Sequence, residues 1–517
     1  MSEEEAARAI IEDILDGRIK SRGQVQDRKL ELARQLGLNG LPSSQFVLSK
    51  AGPDERERVL PLLVRKPTRT ASGVAVVAVQ TSPSQTCPGH CIYCPQFPGA
   101  SKSYTGHEPA SMRAIQCGYD PHLQVRTRLR QLESMGHDIS KVELIVQGAT
   151  FTAMDLEYRR WFVARCLDAM IEHGQEGLEA RSLRRAERLS ETSAVRPVGI
   201  TFETRPDWCG GVEVESMLHM GATRVEIGVQ TLSDEVFRTV GRGHGVSEVA
   251  RSFRAARSGG LKICAHMMLG LPGSGPEEDL ESFRRLFEDP RFRPDELKIY
   301  PTLVIEGTKL HGMWRRGEYR PLTDEQVMEE LLRIKPTVPP WIRIKRVMRD
   351  IPSDMISAGP RRSDMRNLVQ RAMSERGERC RCIRCREVFR APGNEYHFEP
   401  CSRTYEVEGG EEVFLSYEDP ESEVLAAFLR LSAIDGEFRI RELHTYGPAV
   451  GIGNGPVDGE WQHRGMGRGL VRWAEELSID RGADGISVTS GIGAREYYRE
   501  LGYRLAGRYM FKSHDPR

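Results

Sequence analysis

The sequence predicts an α/β protein: a partial barrel of six βα units, a second α/β unit after it, and a helical region before it. Three observations carry this. Short β-branched runs alternate with amphipathic stretches from about residue 72 to residue 300, the pattern of parallel strands joined by crossover helices. Beyond residue 424 a strand, a Gly-rich segment and a helix follow one another within about 110 residues. Before residue 70 apolar residues recur at helical spacing among many Arg and Lys.

In chain order, Ala6–Leu15 and Val25–Leu36 read as helices. The strands are Val74–Val79, Val142–Val146, Val198–Phe202, Thr223–Val229, Leu261–Leu269 and Glu296–Tyr300. Between them, Leu123–Glu133, Leu156–Ile171, Val246–Ser258 and Glu277–Phe287 carry helical periodicity, and Gly174–Ser193 is a polar helical excursion. Six strands make an open barrel rather than a closed one of eight. Residues 341–390 are basic, with fourteen Lys+Arg against six Asp+Glu, and residues 391–424 turn acidic. A helix is expected from Val424, then a strand Phe438–Leu443, a Gly-rich loop Gly451–Gly469 opening a helix to Arg481, a strand Gly485–Thr489 and a helix Arg495–Leu501. The expected domains are 1–70, basic and helical; 71–340, the partial barrel; 341–405, a basic linker with clustered cysteines; and 406–517, the second α/β unit.

The 517 residues contain 74 Lys+Arg and 74 Asp+Glu, with 39% hydrophobic and 29% charged residues. This is globular composition, not that of a disordered chain. No stretch approaches the ~20 apolar residues of a membrane helix, and the acidic start Met1–Glu5 lacks signal-peptide features. A cytoplasmic protein without a membrane partner is expected. Seven of the eleven cysteines fall in two neighbourhoods, Cys87/Cys91/Cys94 and Cys380/Cys382/Cys385 with Cys401 downstream. In a long cytosolic chain such clusters point to metal rather than disulfides. Cys117, Cys166, Cys209 and Cys264 read as small buried side chains.

The first cluster, Cys87-x3-Cys91-x2-Cys94, follows the first strand, with Tyr93 before its last cysteine. Three thiolates can hold three irons of a 4Fe–4S cube and leave the fourth open; a three-Cys zinc site with His90 is the alternative. The spacing, the aromatic residue and the position resemble the radical SAM superfamily. That resemblance implies a 4Fe–4S cluster, S-adenosylmethionine (SAM) on its open iron, and an electron donor. The polar residues at the C-terminal strand ends, where α/β barrels react, are Gln147, Glu203, Arg205, Gln230, His266 and Lys298. Of these, Glu203 and Gln230 are expected to help hold SAM.

The second signal is Gln462-His-Arg-Gly-Met-Gly467, where glycines and a helix N-terminus can accept a pyrophosphate. With the Tyr497–Tyr498 pair it resembles GNAT-like acetyltransferases, which implies acetyl-CoA in the loop and a tyrosine near the thioester.

Both modules on one chain, with Ser103–Pro109, Thr201–Asp207, Val225–Gln230, Leu297–Thr302, Arg349–Pro352 and Glu442–His444, resemble the family of the catalytic subunit of Elongator, in its archaeal or bacterial form. The first cysteine gap is short for that family, and Leu269–Gly273 departs from its usual run. The resemblance implies a reaction at the wobble uridine in the anticodon region of tRNA. A 5′-deoxyadenosyl radical from SAM takes hydrogen from the acetyl methyl group, the carbon adds to uracil C5, and thioester hydrolysis leaves 5-carboxymethyluridine. It implies acetyl-CoA contacts at Lys141, Glu442, Leu443, His444, Thr445, Met466, Gly467, Arg468 and Tyr498, beside Gln462 and Gly465 of the loop. Lys141 and Tyr498 are the expected catalytic groups, although Lys141 also reads as a solvated lysine before a strand.

Cys380-x-Cys382-x2-Cys385 suits structural zinc, with Cys401 as expected fourth ligand, His397 as its competitor, and a second Fe–S cluster as the alternative. Arg371, Arg376, Arg379, Arg381, Arg384 and Arg386 around it, with Arg56–Arg69, suggest a tRNA-facing surface. A protein lysine acetyltransferase with a structural Fe–S cluster is the competing function, and a non-catalytic tRNA-binding scaffold a third. A homodimer is left open.

Overall fold

The computed structural model describes residues 3–64, 70, 72–84, 87–148, 150–174, 177, 180, 182–391, 396–446 and 465–514. Gln462, most of the Gly-rich stretch 451–469 and residues 65–69 of the basic N-terminal stretch lie outside the described residues.

The strands of the first module are β1 (Ala75–Gln80), β2 (Lys141–Gln147), β3 (Arg196–Thr204), β4 (Arg224–Gln230), β5 (Lys262–Leu269), β6 (Glu296–Pro301), the short β7 (Val304–Ile305), β8 (Arg343–Val347) and β9 (Ile356–Ala358). The sheet order is β1-β2-β3-β4-β5-β6-β8, with every pairing parallel. The six predicted strands are present, and a seventh extends the curled half-barrel at its β6 edge from inside the predicted basic linker. β8 escapes the hydrophobic pattern because Arg343-Ile-Lys-Arg-Val347 carries three cations in five residues. Arg343 pairs with Glu387 and Lys345 with Glu296, at 3.2 Å for the latter, while Ile344 and Val347 are buried. Helices Pro121–Ser134, Leu156–Gly174, Val246–Ser258 and Pro276–Glu288 cover the outer face, and their apolar stripes complete one continuous core with the strands.

The second module is a seven-stranded sheet in the order β10-β11-β12-β13-β14-β16-β15. Its strands are β10 (Glu399–Val407), β11 (Gly410–Glu418), β12 (Leu425–Ile434), β13 (Glu437–Thr445), β14 (Gly485–Val488), β15 (Arg504–Ala506) and β16 (Tyr509–Ser513). The helix expected from Val424 is a strand. Leu425-Ala-Ala-Phe-Leu-Arg-Leu-Ser-Ala-Ile434 is rich in good helix formers, but burial on both faces overrides propensity. Ala427, Leu429 and Leu431 pack under helix Met466–Asp480, whereas Leu425, Phe428 and Ile434 pack against Ile383, Val388 and Tyr405. A short continuous apolar run does not reveal which of the two it is.

Four N-terminal helices, Glu3–Leu15, Arg22–Gln35, Ser44–Ser49 and Pro53–Leu63, build a small core of their own. The expected helices at 6–15 and 25–36 are among them. No helix among the described residues is long and apolar enough to cross a membrane.

Candidate active site

One cavity of about 1550 Å³ runs from the cysteine loop after β1, through the half-barrel, to the second module. Cys87, Cys91 and Cys94 line it at one end, and Gly465, Gly467, Arg468, Tyr497 and Tyr498 at the other. Lys141, Glu203, Gln230 and Glu442–Thr445 line it between. The residues expected to serve the cluster, SAM and acetyl-CoA that lie within the described residues are therefore brought together, with Met466 at the start of the helix that borders the cavity.

The strand ends supply the polar groups. Glu203 accepts a hydrogen bond from the Tyr104 hydroxyl at 2.8 Å. Gln230 ends β4 with φ +74°, in a region that non-glycine residues seldom adopt, at a register shift between β4 and β5. Such strain persists where the surroundings over-determine it, and it clusters at functional sites. Deeper in the barrel lies an ion network of which His266 and Lys298 are the only members at strand-end positions expected from the sequence. Glu226 pairs with Lys298 and, at 3.0 Å, with His266 Nε2; Arg224 pairs with Glu143 and, at 3.3 Å, with Glu296. Burial pushes Glu226 up, but Lys298, His266 and Arg224 outweigh it and hold the carboxylate well below its usual range. Burial and the Lys298 ammonium lower His266. Glu226, Cys264 and His266 also gather as potential metal ligands. The cations already neutralising Glu226 make this an ion-pair site instead. The signal for Glu226 in the sequence is a single acid inside the apolar run Val225–Val229.

On the second module, Gly465 caps helix Met466–Asp480 with φ +82°, a left-handed conformation that suits glycine. A Cβ on Gly467 would lie 3.2 Å from the Tyr497 hydroxyl, so a side chain there would press on that tyrosine. Tyr498 is buried between Tyr497 and Tyr503, and burial pushes its phenol up. His444 on β13 stacks on Phe428 and meets the Tyr446 ring at a tilt, and its buried Nε2 has no hydrogen-bond partner among the described residues. Burial, opposed by Glu442 and helped by Arg343 and Lys262, brings it down to about 4, so the ring is neutral at pH 7. Glu442 joins the modules by accepting from Lys262 Nζ of β5 at 3.0 Å and Arg430 Nε at 2.8 Å. Lys141 is half-buried at the start of β2. Burial pushes its ammonium down, Asp138 opposes this, and Arg196 adds to it.

The two cysteine trios differ in kind. The thiols of Cys380, Cys382 and Cys385 converge within 4.8 Å, and hydrogen bonds from Cys380 and Cys385 hold Cys382 well below the usual thiol range. Cys87, Cys91 and Cys94 share the cavity without converging that tightly. Ligands to separate irons of a cube stand apart, whereas ligands to a single zinc converge. Neither residue considered for the fourth ligand is grouped with the second trio. Cys401 does not join it: this residue sits on β10 opposite Ser416, its place fixed by the β10–β11 ladder. His397 lies exposed beside Glu399. Arg386 is no surface cation, because it is buried against Glu418, at 2.9 Å, and the Pro340 carbonyl. Arg371, Arg376, Arg379 and Arg381 are exposed, the last two sharing Glu423. Arg384 is half-buried at the cavity wall.

Family models match three stretches: the ELP3 N-terminal domain over residues 3–71, the radical SAM superfamily over 81–286 and the radical SAM C-terminal domain over 294–375. With the half-barrel and its cysteine loop, these matches define a radical SAM protein. The "tRNA uridine(34) acetyltransferase" of Methanocaldococcus jannaschii is 43% identical over 98% of this chain and 97% of its own. Human "Elongator complex protein 3" is 42% identical over 94% of this chain and 92% of its own. The structure of archaeal Methanocaldococcus infernus Elp3 lacking residues 1–46 is 41% identical, covers 86% of this chain and 99% of its own, and superposes with a TM-score of 0.75. The chain belongs to the family that these tRNA uridine(34) acetyltransferases and Elongator proteins form. Its radical SAM class implies a 4Fe–4S cluster and SAM, and the residues fit them: three spaced thiols face the cavity beside the acid and amide at the ends of β3 and β4.

Proposed function

We propose that the chain uses acetyl-CoA and SAM to carboxymethylate C5 of the wobble uridine of tRNA, making 5-carboxymethyluridine. The observation that carries this is the single cavity joining the cysteine loop to the glycine-capped helix, since a reaction that needs both modules requires one continuous space. The cluster and SAM supply a radical able to take hydrogen from an unactivated methyl group; the protein supplies placement. In this reading Glu203 and Gln230 hold SAM. The backbone of Gly465–Arg468 and the strand segment Glu442–Thr445, with Gln462, cradle CoA. Lys141 reaches CoA from the barrel side, and Tyr498 stands by the acetyl end. Cys380, Cys382 and Cys385 hold a zinc ion whose fourth ligand comes from elsewhere than Cys401. The N-terminal region 1–70 and the exposed arginines of the cysteine segment bind tRNA phosphates, with the wobble base splayed into the cavity, as single-stranded RNA is commonly read.

Mass spectrometry of wobble nucleosides, after incubating reconstituted protein with tRNA, SAM and acetyl-CoA, tests this directly: 5-carboxymethyluridine is expected. CoA release should rise when tRNA is added, and Lys141→Ala and Tyr498→Ala should each lose that stimulation while keeping tRNA affinity. Equal release with and without tRNA would favour a protein lysine acetyltransferase.

Replacing Arg376, Arg379 and Arg381 with alanine should weaken binding of many tRNAs alike. It should also flatten the log–log salt slope by nearly one unit for each phosphate that is no longer neutralised. Filter binding at several salt concentrations reads it. An unchanged slope would make this run a solvated face.

A further inference from the structure

The cysteines of the loop after β1 are not equivalent. Cys91 Sγ accepts from Arg242 Nη1 at 3.4 Å and from Arg205 Nη1 at 3.7 Å. Cys87 is instead held by the Thr150 hydroxyl at 3.0 Å and the Gly89 N–H at 3.4 Å. The two guanidiniums arrive from different elements, Arg205 just beyond β3 and Arg242 after helix Asp234–Thr239. Both are buried, at 5% and 4% exposure.

Both are also locked. Arg205 binds Asp207 through Nε at 2.9 Å and Nη2 at 3.0 Å, and donates to the Arg242 carbonyl. Arg242 donates to the Gly228 carbonyl. The cysteine loop is shaped around this pair: a Cβ on Gly89 would lie 2.1 Å from Arg205 Nη1, so a side chain there would displace the guanidinium. Two cations thus face one sulfur, with Asp207 as the carboxylate hydrogen-bonded to one of them.

Hydrogen bonds and positive charge at the sulfurs of an Fe–S cluster favour its reduced, more negative state. We propose that Arg205 and Arg242 set the reduction potential of the cluster through Cys91, raising it towards what a cellular electron donor can supply. Asp207 limits that effect by neutralising part of Arg205. The inference rests on the cluster that the family implies and is independent of acetyl-CoA and of tRNA.

The test is an EPR-monitored redox titration of the reconstituted full chain, without SAM, at matched iron and sulfide content. Arg205→Gln should shift the reduction equilibrium towards the oxidised cluster by about tenfold, which is about 59 mV for a one-electron couple. Asp207→Asn should shift it the other way, because it leaves Arg205 uncompensated. The opposite sign separates tuning from loop support, since a structural role would lower cluster content in both variants without a signed change in potential. An unchanged potential in Arg205→Gln would overturn the proposal. Should that variant fail to hold iron, Asp207→Asn decides: a rise supports the proposal, and no change or a fall overturns it.

Discussion

Cys91→Ala is expected to abolish cluster assembly, and with it release of 5′-deoxyadenosine, while leaving the fold intact. The Cys91 side chain faces the cavity and lies outside the apolar core that the seven strands and their helices build. Its removal takes an acceptor from Arg242 and Arg205. That costs on the order of 1–3 kcal/mol, well within the ~5–15 kcal/mol that holds a typical domain. Chemically the loss is complete, because two remaining thiols cannot hold three irons of a cube. Iron and sulfide analysis, the visible absorption band and chromatography of deoxyadenosine measure it. Cys166→Ala is the matched control: Cys166 is buried in the core on helix Leu156–Gly174, so it should lose stability by about 1 kcal/mol yet keep iron and SAM cleavage. If Cys91→Ala retained its chromophore and full SAM cleavage, Cys91 would have no part in holding the cluster.

The parts of this molecule legible in its sequence are those whose chemistry is local. The Cys87–Cys94 spacing, the glycine that caps helix Met466–Asp480 and the six β-branched strands each repeat a short-range rule, and among the described residues each stands where it was expected. The misses share one cause, partners distant in sequence. β8 reads as a basic linker because the carboxylates that neutralise it, Glu143, Glu296 and Glu387, come from β2, β6 and the segment after helix Ile383–Arg386. β12 reads as a helix because its second buried face is made by Ile383, Val388, Tyr405 and Val407 packing onto it. Arg386 reads as a phosphate ligand because Glu418 lies 32 positions further along the chain. For Cys401, counting thiols could not reveal that the β10–β11 ladder fixes it elsewhere. In the barrel interior, Glu226 and Arg224 look out of place along a strand; besides facing each other, they are held by charges from β2, β5 and β6 that the local sequence does not show.

The same principle gives the largest expected effect on stability, at the junction of the two sheets. Asp295, just before β6, is fully buried and accepts from Arg441 at 2.6 and 3.0 Å and from the Ile263 N–H at 2.8 Å, with Arg430 Nη1 3.6 Å away. Arg441 and Arg430 belong to β13 and β12, so one barrel carboxylate anchors two guanidiniums of the second module. Glu412 and Glu442 balance the remaining charge. Asp295→Asn keeps the shape and some hydrogen bonding but leaves the cations under-neutralised where water cannot reach. Breaking one partner of a buried ion pair costs about 3–5 kcal/mol. By contrast, removing the exposed Arg333–Glu277 pair should cost no more than about 1 kcal/mol. Burial pushes Asp295 up, but Arg441 and Arg430 prevail and hold it below its usual value. Its contribution is therefore fully present above the unfolded aspartate pKa of ~3.9 and is lost as pH falls through the folded value. Urea denaturation followed by circular dichroism at pH 7 and at pH 4 measures both effects. Asp295→Asn should unfold at much lower urea at pH 7, and the gap to the unaltered protein should begin to close only below pH 4. A difference under about 0.5 kcal/mol at pH 7 would mean that apolar packing, and not this ion cluster, holds the two sheets together.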